Sequence, residues 1–376
     1  MDLQRRTELG RWLLAGCGAA TVLYCLVVLG FVATAPDLGL RCLLVGSDES
    51  GDSPPKSGLE ISQIVREAGR DSAEGPRPGD RLVEIAHRPA HTFAHFAARL
   101  IDLRSAEPFG TKLAAGANIQ EKRDQLPPIF ARGDEVFVEV KYLRGGEVLR
   151  SWLPLRSVPW QDLTLTFVWF LLEFGIFAVG ALAFWARPFD RQARLFFAMC
   201  IVALGGFVGG YHWWMIAGSM WLTVPFMFCA MLVPIVTFHF FMTYPEPKRI
   251  LARHPYQALL AIYAVPGLSM CILVALAIHS SWLVDHSFAA LDNSSSIVGS
   301  FSESEYQAGV IQVLNQGITI YIGIAAAYFL ASVLALSGSF FTTRNPILHS
   351  QVKWILWAAV AATLPVGYSL SLAYFQ

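Results

Sequence analysis

The sequence predicts a polytopic α-helical membrane protein of about seven spans, with one water-soluble α+β domain inserted between the first and second. Three observations carry that reading. Of 376 residues, 55% are hydrophobic and 13% aromatic, richer than a soluble fold usually is. Charge is confined: 35 of the 56 charged side chains lie between Pro36 and Pro159. The rest of the chain holds apolar runs near the ~20 residues needed to cross a bilayer.

Those runs are Trp12–Ala35, Leu163–Ala186, Leu195–Tyr211, Trp221–Tyr244, Tyr256–Ile278, Val313–Phe341 and Trp354–Phe375. The first is too long for the apolar core of a signal peptide, and Ala33–Ala35 makes a poor cleavage site, so it reads as an uncleaved anchor. The third is short unless it continues into His212–Trp214. The chain thus divides into a cytoplasmic N-terminus and first span (1–35), an outward domain (36–159) and a multi-helix membrane block (160–376).

Orientation follows from the basic residues. Outside the 36–159 segment they occur only at Arg5, Arg6 and Arg11; at Arg187, Arg191 and Arg194; at Lys248, Arg249 and Arg253; and at Arg344 and Lys353. Seven spans place all four groups on one side, which the positive-inside rule assigns to the cytoplasm. An uncharged connection (His212–Met220) and an acidic one with Asp285, Asp292, Glu303 and Glu305 fall on the other side, with the soluble domain. The expected location is a cell inner membrane, multi-pass, with residues 36–159 extracytoplasmic. Five of the six cysteines lie in spans, leaving Cys42 as the single thiol of the outward domain, with no partner there for a disulfide.

Within 36–159 the pattern is regular. Leu59, Ile61 and Ile64 to Val65 suggest a strand, and Gly79-Asp80 a turn into a strand over Arg81–Ala86. Thr92 is placed to cap a helix whose Phe93, Phe96, Leu100 and Leu103 share one face. Glu135–Tyr142 alternates as a strand, Arg144-Gly145-Gly146-Glu147 turns, and Val148–Leu155 returns.

Pro78-Gly79-Asp80-Arg81-Leu82-Val83-Glu84-Ile85 followed by Arg88-Pro89-Ala90, and the closing Arg144–Glu147 hairpin, resemble a bacterial-type PDZ domain over roughly Gly58 to Leu155. Two features depart from that family: Ala86-His87 stands where it prefers Asn-Gly, and a long insertion, roughly Ser105–Arg132, precedes the last hairpin. The resemblance implies a groove that takes an extended peptide as an added strand, with a backbone nest for its carboxylate. Carried over by position, the nest is Ser57-Gly58-Leu59-Glu60, and the groove lies between the strand containing Leu59 and Ile61 and the helix containing Phe93, Phe96 and Leu100.

The order of parts, one anchor, an exported PDZ-like domain and a block of helices, resembles the sensor half of ComP-like competence-pheromone receptor histidine kinases. The Phe238–Glu246 helix ending and the segment Arg344–Leu356 resemble corresponding motifs of such sensor blocks. The resemblance implies a receptor for an extracellular peptide or apolar signal, in contact with membrane lipid and as a homodimer, that passes the signal to a cytoplasmic output. It also implies that the kinase module, with an eighth span before it, follows Gln376 in the native gene. The rival expectation is a transporter or membrane scaffold whose PDZ-like domain recruits a partner.

Inside the spans, Glu173 sits near the middle of the second run, where an ionised group costs several kcal/mol, so it is expected to face other helices, with a Ser, Thr, Tyr or His nearby. His239, about a turn from the end of the fourth run, is a second signal or packing candidate. The glycines 205, 206, 209 and 210 form small-xxx-small pairs suited to close helix contact. Pro225, Pro234, Pro266 and Pro365 lie inside spans and are expected to kink them.

Other chemistries are excluded by what the sequence lacks. There is no H-E-x-x-H, P-loop, dinucleotide fingerprint or kinase ATP-binding motif, so no catalytic residue and no cofactor is expected within these residues. His87, His91 and His95 have helical spacing, but Arg88-Pro89 breaks any helix that would align them, so no metal site is expected. Basic and acidic residues balance at 28 each, without the basic stripe of a nucleic-acid binder.

Overall fold

The computed structural model describes residues 2–43, 58–65, 75–105, 112–113, 127–211, 213–293 and 298–375. It begins with α1 (Asp2–Ala33), which contains the first apolar run and leads directly into a mixed domain of strands and one helix. The strands are β1 (Pro36–Asp37), β2 (Leu40–Cys42), β3 (Leu59–Ile64), β4 (Arg81–Ile85), β5 (Arg88–Pro89), β6 (Lys112–Leu113), β7 (Ile129–Arg132), β8 (Glu135–Arg144) and β9 (Glu147–Ser157). One helix, α2 (Phe93–Ser105), lies between β5 and β6.

The sheet order is β1-β9-β8-β4-β3-β2, with β5 against β4, β7 against β8, and β6 parallel to β7. Two hairpins are set by their turn chemistry. At Gly145-Gly146 both φ values are positive (59° and 92°), as the two-residue turn between Arg144 and Glu147 requires. Ala86 and His87 take the same left-handed conformation (φ 49° and 62°) without glycine's freedom. They are held there by Glu139, whose carbonyl accepts the Ala86 N–H at 2.8 Å and whose carboxylate meets His87 Nε2 at 2.7 Å. Asp80, 6% exposed, fixes the entry to β4: it accepts from the Arg77 N–H at 2.6 Å and from Arg144 Nε and Nη2 at 3.0 and 2.7 Å.

Helix α2 begins as expected: Thr92 Oγ1 accepts the His95 backbone N–H at 3.3 Å. Its apolar stripe, Phe93, Phe96, Leu100 and Leu103, is buried against Leu40, Ile61, Leu82, Val138 and Val140. Each such side chain contributes about 1.5–3 kcal/mol of burial. Domain and membrane are stitched together at the seam, where β1 pairs with the end of β9 (Pro36↔Ser157, Asp37↔Arg156), so entry and exit strands run side by side.

The remainder is helical: α3 (Trp160–Ala186), α4 (Arg191–Tyr211), the single turn α5 (Trp213–Ile216), α6 (Met220–Thr243), the short α7 (Arg249–Arg253), α8 (Pro255–Asn293), α9 (Val298–Thr342) and α10 (Pro346–Phe375). Six helical segments among the described residues are long and apolar enough to cross a membrane: Glu8–Ala33, Leu163–Ala186, Arg191–Gly210, Met220–Thr243, Pro255–Val284 and Gly309–Thr342. This is a multi-pass membrane protein. The seventh expected run lies on α10, of which side chains are described only as far as residue 361.

One expectation needs correction here. The acidic connection expected after the fifth run is not an open loop: α8 continues to Asn293 and α9 already starts at Val298, so helix extends well beyond the apolar length on both sides. Hydropathy ends where charges begin, but helical hydrogen bonding does not depend on apolar side chains. Pro225 and Pro234 lie within α6, Pro266 within α8, and Pro365 falls on the part of α10 whose side chains are outside the described set.

The small-residue motif of α4 is a contact surface. A Cβ on Gly206 would lie 3.1 Å from Ala230 Cα, and one on Gly209 would lie 2.7 Å from the Phe226 ring. Helices α4 and α6 therefore approach backbone to backbone, as such pairs allow.

Candidate functional site

The expected groove divides between two outcomes. Gly58 stands at φ 112° with a would-be Cβ 3.0 Å from Leu82 O, so the chain there requires glycine; Ser57 lies outside the described residues. Leu59, Ile61, Phe93, Phe96 and Leu100 come together as anticipated, all 7% exposed or less. However, they form the domain core rather than a cleft. Strand β3, which carries Leu59, Glu60 and Ile61, pairs with β4 on one side (Leu59↔Leu82, Glu60↔Arg81) and with β2 on the other (Leu40↔Ile64, Cys42↔Ile61). Neither edge of β3 has room for an added strand. Replacing Ile61 or Phe96 by a charged residue would thus break the core instead of probing a ligand contact.

The edge position belongs to β2, which sequence reading had left unassigned. Among the described residues it pairs only with β3. Arg41 on this strand is gripped by Asp37, which is 2% exposed and receives Arg41 Nη1 and Nη2 at 2.9 and 3.1 Å and the Gly39 N–H at 2.8 Å. Held in this way, the Arg41 guanidinium lies 3.9 Å from the centre of the Trp214 ring, a cation–π contact with the membrane block. Burial pushes the neighbouring Cys42 thiol up to about 12, although Arg41 acts in the opposite sense.

Across from β2, α2 touches the helices at each of its ends. Phe93 stacks on Trp213, with ring centroids 5.2 Å apart, and Arg104 donates to Thr34 Oγ1 and covers the Phe31 ring at 4.5 Å. In the middle, a Cβ on Gly218 would come 2.6 Å from Ala97 O. Two α2-side imidazoles are held neutral. Burial brings His95 down to about 3, helped by His91 and Arg99, and lowers His91 as well. His95 Nδ1 shares a proton with Thr92 Oγ1 at 2.7 Å. No cluster of three or more metal-ligating side chains occurs among the described residues. His87, His91 and His95 fall on a turn, on the segment before α2 and on α2 itself.

In the membrane block, Glu173 is half-buried on α3, within electrostatic reach of the Cys200 thiol on α4. Among the described residues its carboxyl group makes no hydrogen bond, to a Ser, Thr, Tyr or His or to any other group. His239 is buried and tied into a polar network at the end of the helices away from the sheet. Its Nδ1 meets Tyr263 Oη at 2.9 Å and its Nε2 faces Arg191 Nη2 at 3.4 Å, linking α4, α6 and α8. Close by, Gln192 donates to Pro245 O at 2.6 Å and Lys248 Nζ to Ser339 Oγ at 2.6 Å. Burial lowers the Lys248 ammonium from its usual range.

What this arrangement does chemically is hold and couple. The side chains that meet at the domain–membrane contact are aromatic, cationic and small, with no nucleophile–base pair among them. No family model, no curated protein and no solved structure matches the chain.

Proposed function

We propose that this multi-pass membrane protein is a sensor: its outward domain receives an extracellular peptide or apolar signal, and its helices relay that event to a cytoplasmic output. One observation supports this most directly. The outward domain is keyed into the helices through β2 and α2, rather than hung from flexible linkers, so a change in the domain has a mechanical route inward. The PDZ-like sequence pattern suggests the domain's ligand class, and the order of parts, similar to ComP-like receptor kinases, suggests a histidine-kinase output working as a homodimer in the inner membrane. Strand addition by such a ligand is best supported at β2, the edge strand.

The half-buried Glu173 carboxyl favours a second reading, a transporter, since intramembrane ionisable groups often line substrate paths. Cells carrying the native gene, exposed to fractions of secreted peptides, decide between the two. A sensor gives phosphotransfer to a cytoplasmic acceptor that depends on the fraction added and disappears when the gene is deleted. Solute accumulation in vesicles containing the chain, with no such phosphotransfer, would establish the transporter instead.

A further inference from the structure

Helix α5 belongs to two cores at once. Its Met215 and Ile216, 6% and 0% exposed, are buried among the membrane helices with Leu204, Val208 and Leu222. Trp214 packs on both this core and the core of the outward domain, and the following Ala217 packs on the latter. Trp213 stacks on Phe93, Trp214 lies beneath Arg41, and Gly218 passes Ala97 O where no side chain could fit. The turn is rigid in itself: Ala217 N–H donates to Trp213 O at 2.9 Å, Ser219 N–H to Ile216 O at 2.8 Å, and Thr223 Oγ1 to Ile216 O at 2.7 Å. That last bond fastens it to α6, the helix pressed against the glycines of α4.

We propose that residues Trp213–Gly218 act as a built-in ligand of the domain surface formed by Arg41 of β2 and Phe93 and Ala97 of α2, and that a signal acts by competing with them for that surface. The proposal rests on the sensor reading for the word signal, but the docked contact itself does not. A segment that contacts both an edge strand and a helix occupies surface an incoming peptide would need. Because it is tethered, it competes as an intramolecular ligand at high effective concentration. A successful competitor must reproduce its chemistry: aromatic rings for Arg41 and Phe93, and no side chain opposite Ala97. Its release uncouples the domain from the turn that joins α4 to α6, so binding outside is converted into freedom of the domain relative to two helices that stay locked backbone to backbone.

The test uses the full chain in vesicles, with Cys42→Ser removing the outward thiol and Ala217→Cys placing a reporter on the docked face. In that background a membrane-impermeant maleimide should react slowly. Gly218→Val, which forces the turn away from Ala97 O, should speed the reaction at least about tenfold. Arg41→Gln removes the cation–π contact together with the Asp37 ion pair, leaving an amide that can still donate to Asp37, and should speed it by about tenfold, the size such a desolvated contact supports. If the valine variant is not recovered folded, the glutamine variant decides. A reporter that reacts at the rate of an exposed thiol without either change, or at one rate in all backgrounds, overturns the proposal. No signal and no output enter this measurement, so its failure leaves the sensor assay standing, and failure of that assay leaves the docked turn standing.

Discussion

Acidification should loosen the strand-rich domain, and His95 sets the expected scale. In the folded domain its imidazole, 3% exposed, is held neutral by burial down to about pH 3, whereas in the open chain it takes up a proton near its ordinary 6.5. A lowered folded value means that the stability is complete above pH 6.5 and is lost as pH falls from there toward 3, because only the open state binds the proton. At pH 5 the difference amounts to about 2 kcal/mol, or about thirtyfold in the opening equilibrium. His91, lowered by the same cause, adds to the slope. Hydrogen exchange of peptides from α2, β4 and β8 in the full chain, corrected for the intrinsic pH dependence of exchange, reads this opening directly. Protection should be flat from pH 8 to 7 and fall below 6.5, while His95→Gln should keep only the smaller His91 part. Protection unchanged between pH 7 and 5, or an undiminished slope in the glutamine variant, would falsify the argument that burial holds His95 neutral.

Two further outcomes can be checked by thermal unfolding in detergent. Gly206→Leu forces a side chain into a gap already at 3.1 Å from Ala230 Cα, so overpacking should cost about 1–3 kcal/mol and lower the midpoint, whereas Gly10→Leu, facing open space, should not. Asp80→Ala strips Arg144 and the Arg77 N–H of a nearly buried acceptor, at a cost of about 2–3 kcal/mol confined to the strand-rich domain, and Arg144→Ala in the same chain should add little more.

How much of this was legible beforehand depended on whether the cause was local. The spans announced themselves through composition, because lipid imposes the same demand on every residue of a run. Local turn chemistry was equally readable: Thr92 caps α2, Gly145-Gly146 turns the last hairpin, and Gly79-Asp80 leads into β4. The apolar positions 59, 61, 93, 96 and 100 lie buried in one cluster, but alternation cannot distinguish a core from a groove lining. That distinction lies in which strand is at the edge, a property of the assembled sheet. Strand β2 is only three residues long and too short for a periodicity. The partners of Arg41 are Asp37, four residues away, and Trp214, far along the chain, and no spacing rule connects the latter. Glu139 was hidden for a related reason: a carboxylate within an alternating strand looks solvent-facing until the Ala86-His87 turn and Arg150 are seen to close over it.

The pairing of β1 with β9 has a mechanical meaning of its own. A body attached at two neighbouring points can still swing about the line through them, as a door swings on its pins. The seam at Pro36–Asp37 and Arg156–Ser157 provides such a pair of pins, and by itself it leaves the strand-rich domain one free axis relative to the helices. The resting place of α2 on Trp213 and Gly218 lies away from that axis and arrests the swing. Loss of these contacts, together with those of Arg41 on Trp214 and Arg104 on Phe31, would convert a fixed platform into a flap of defined direction, so the domain's motion would be a rotation about the seam and not a diffuse loosening.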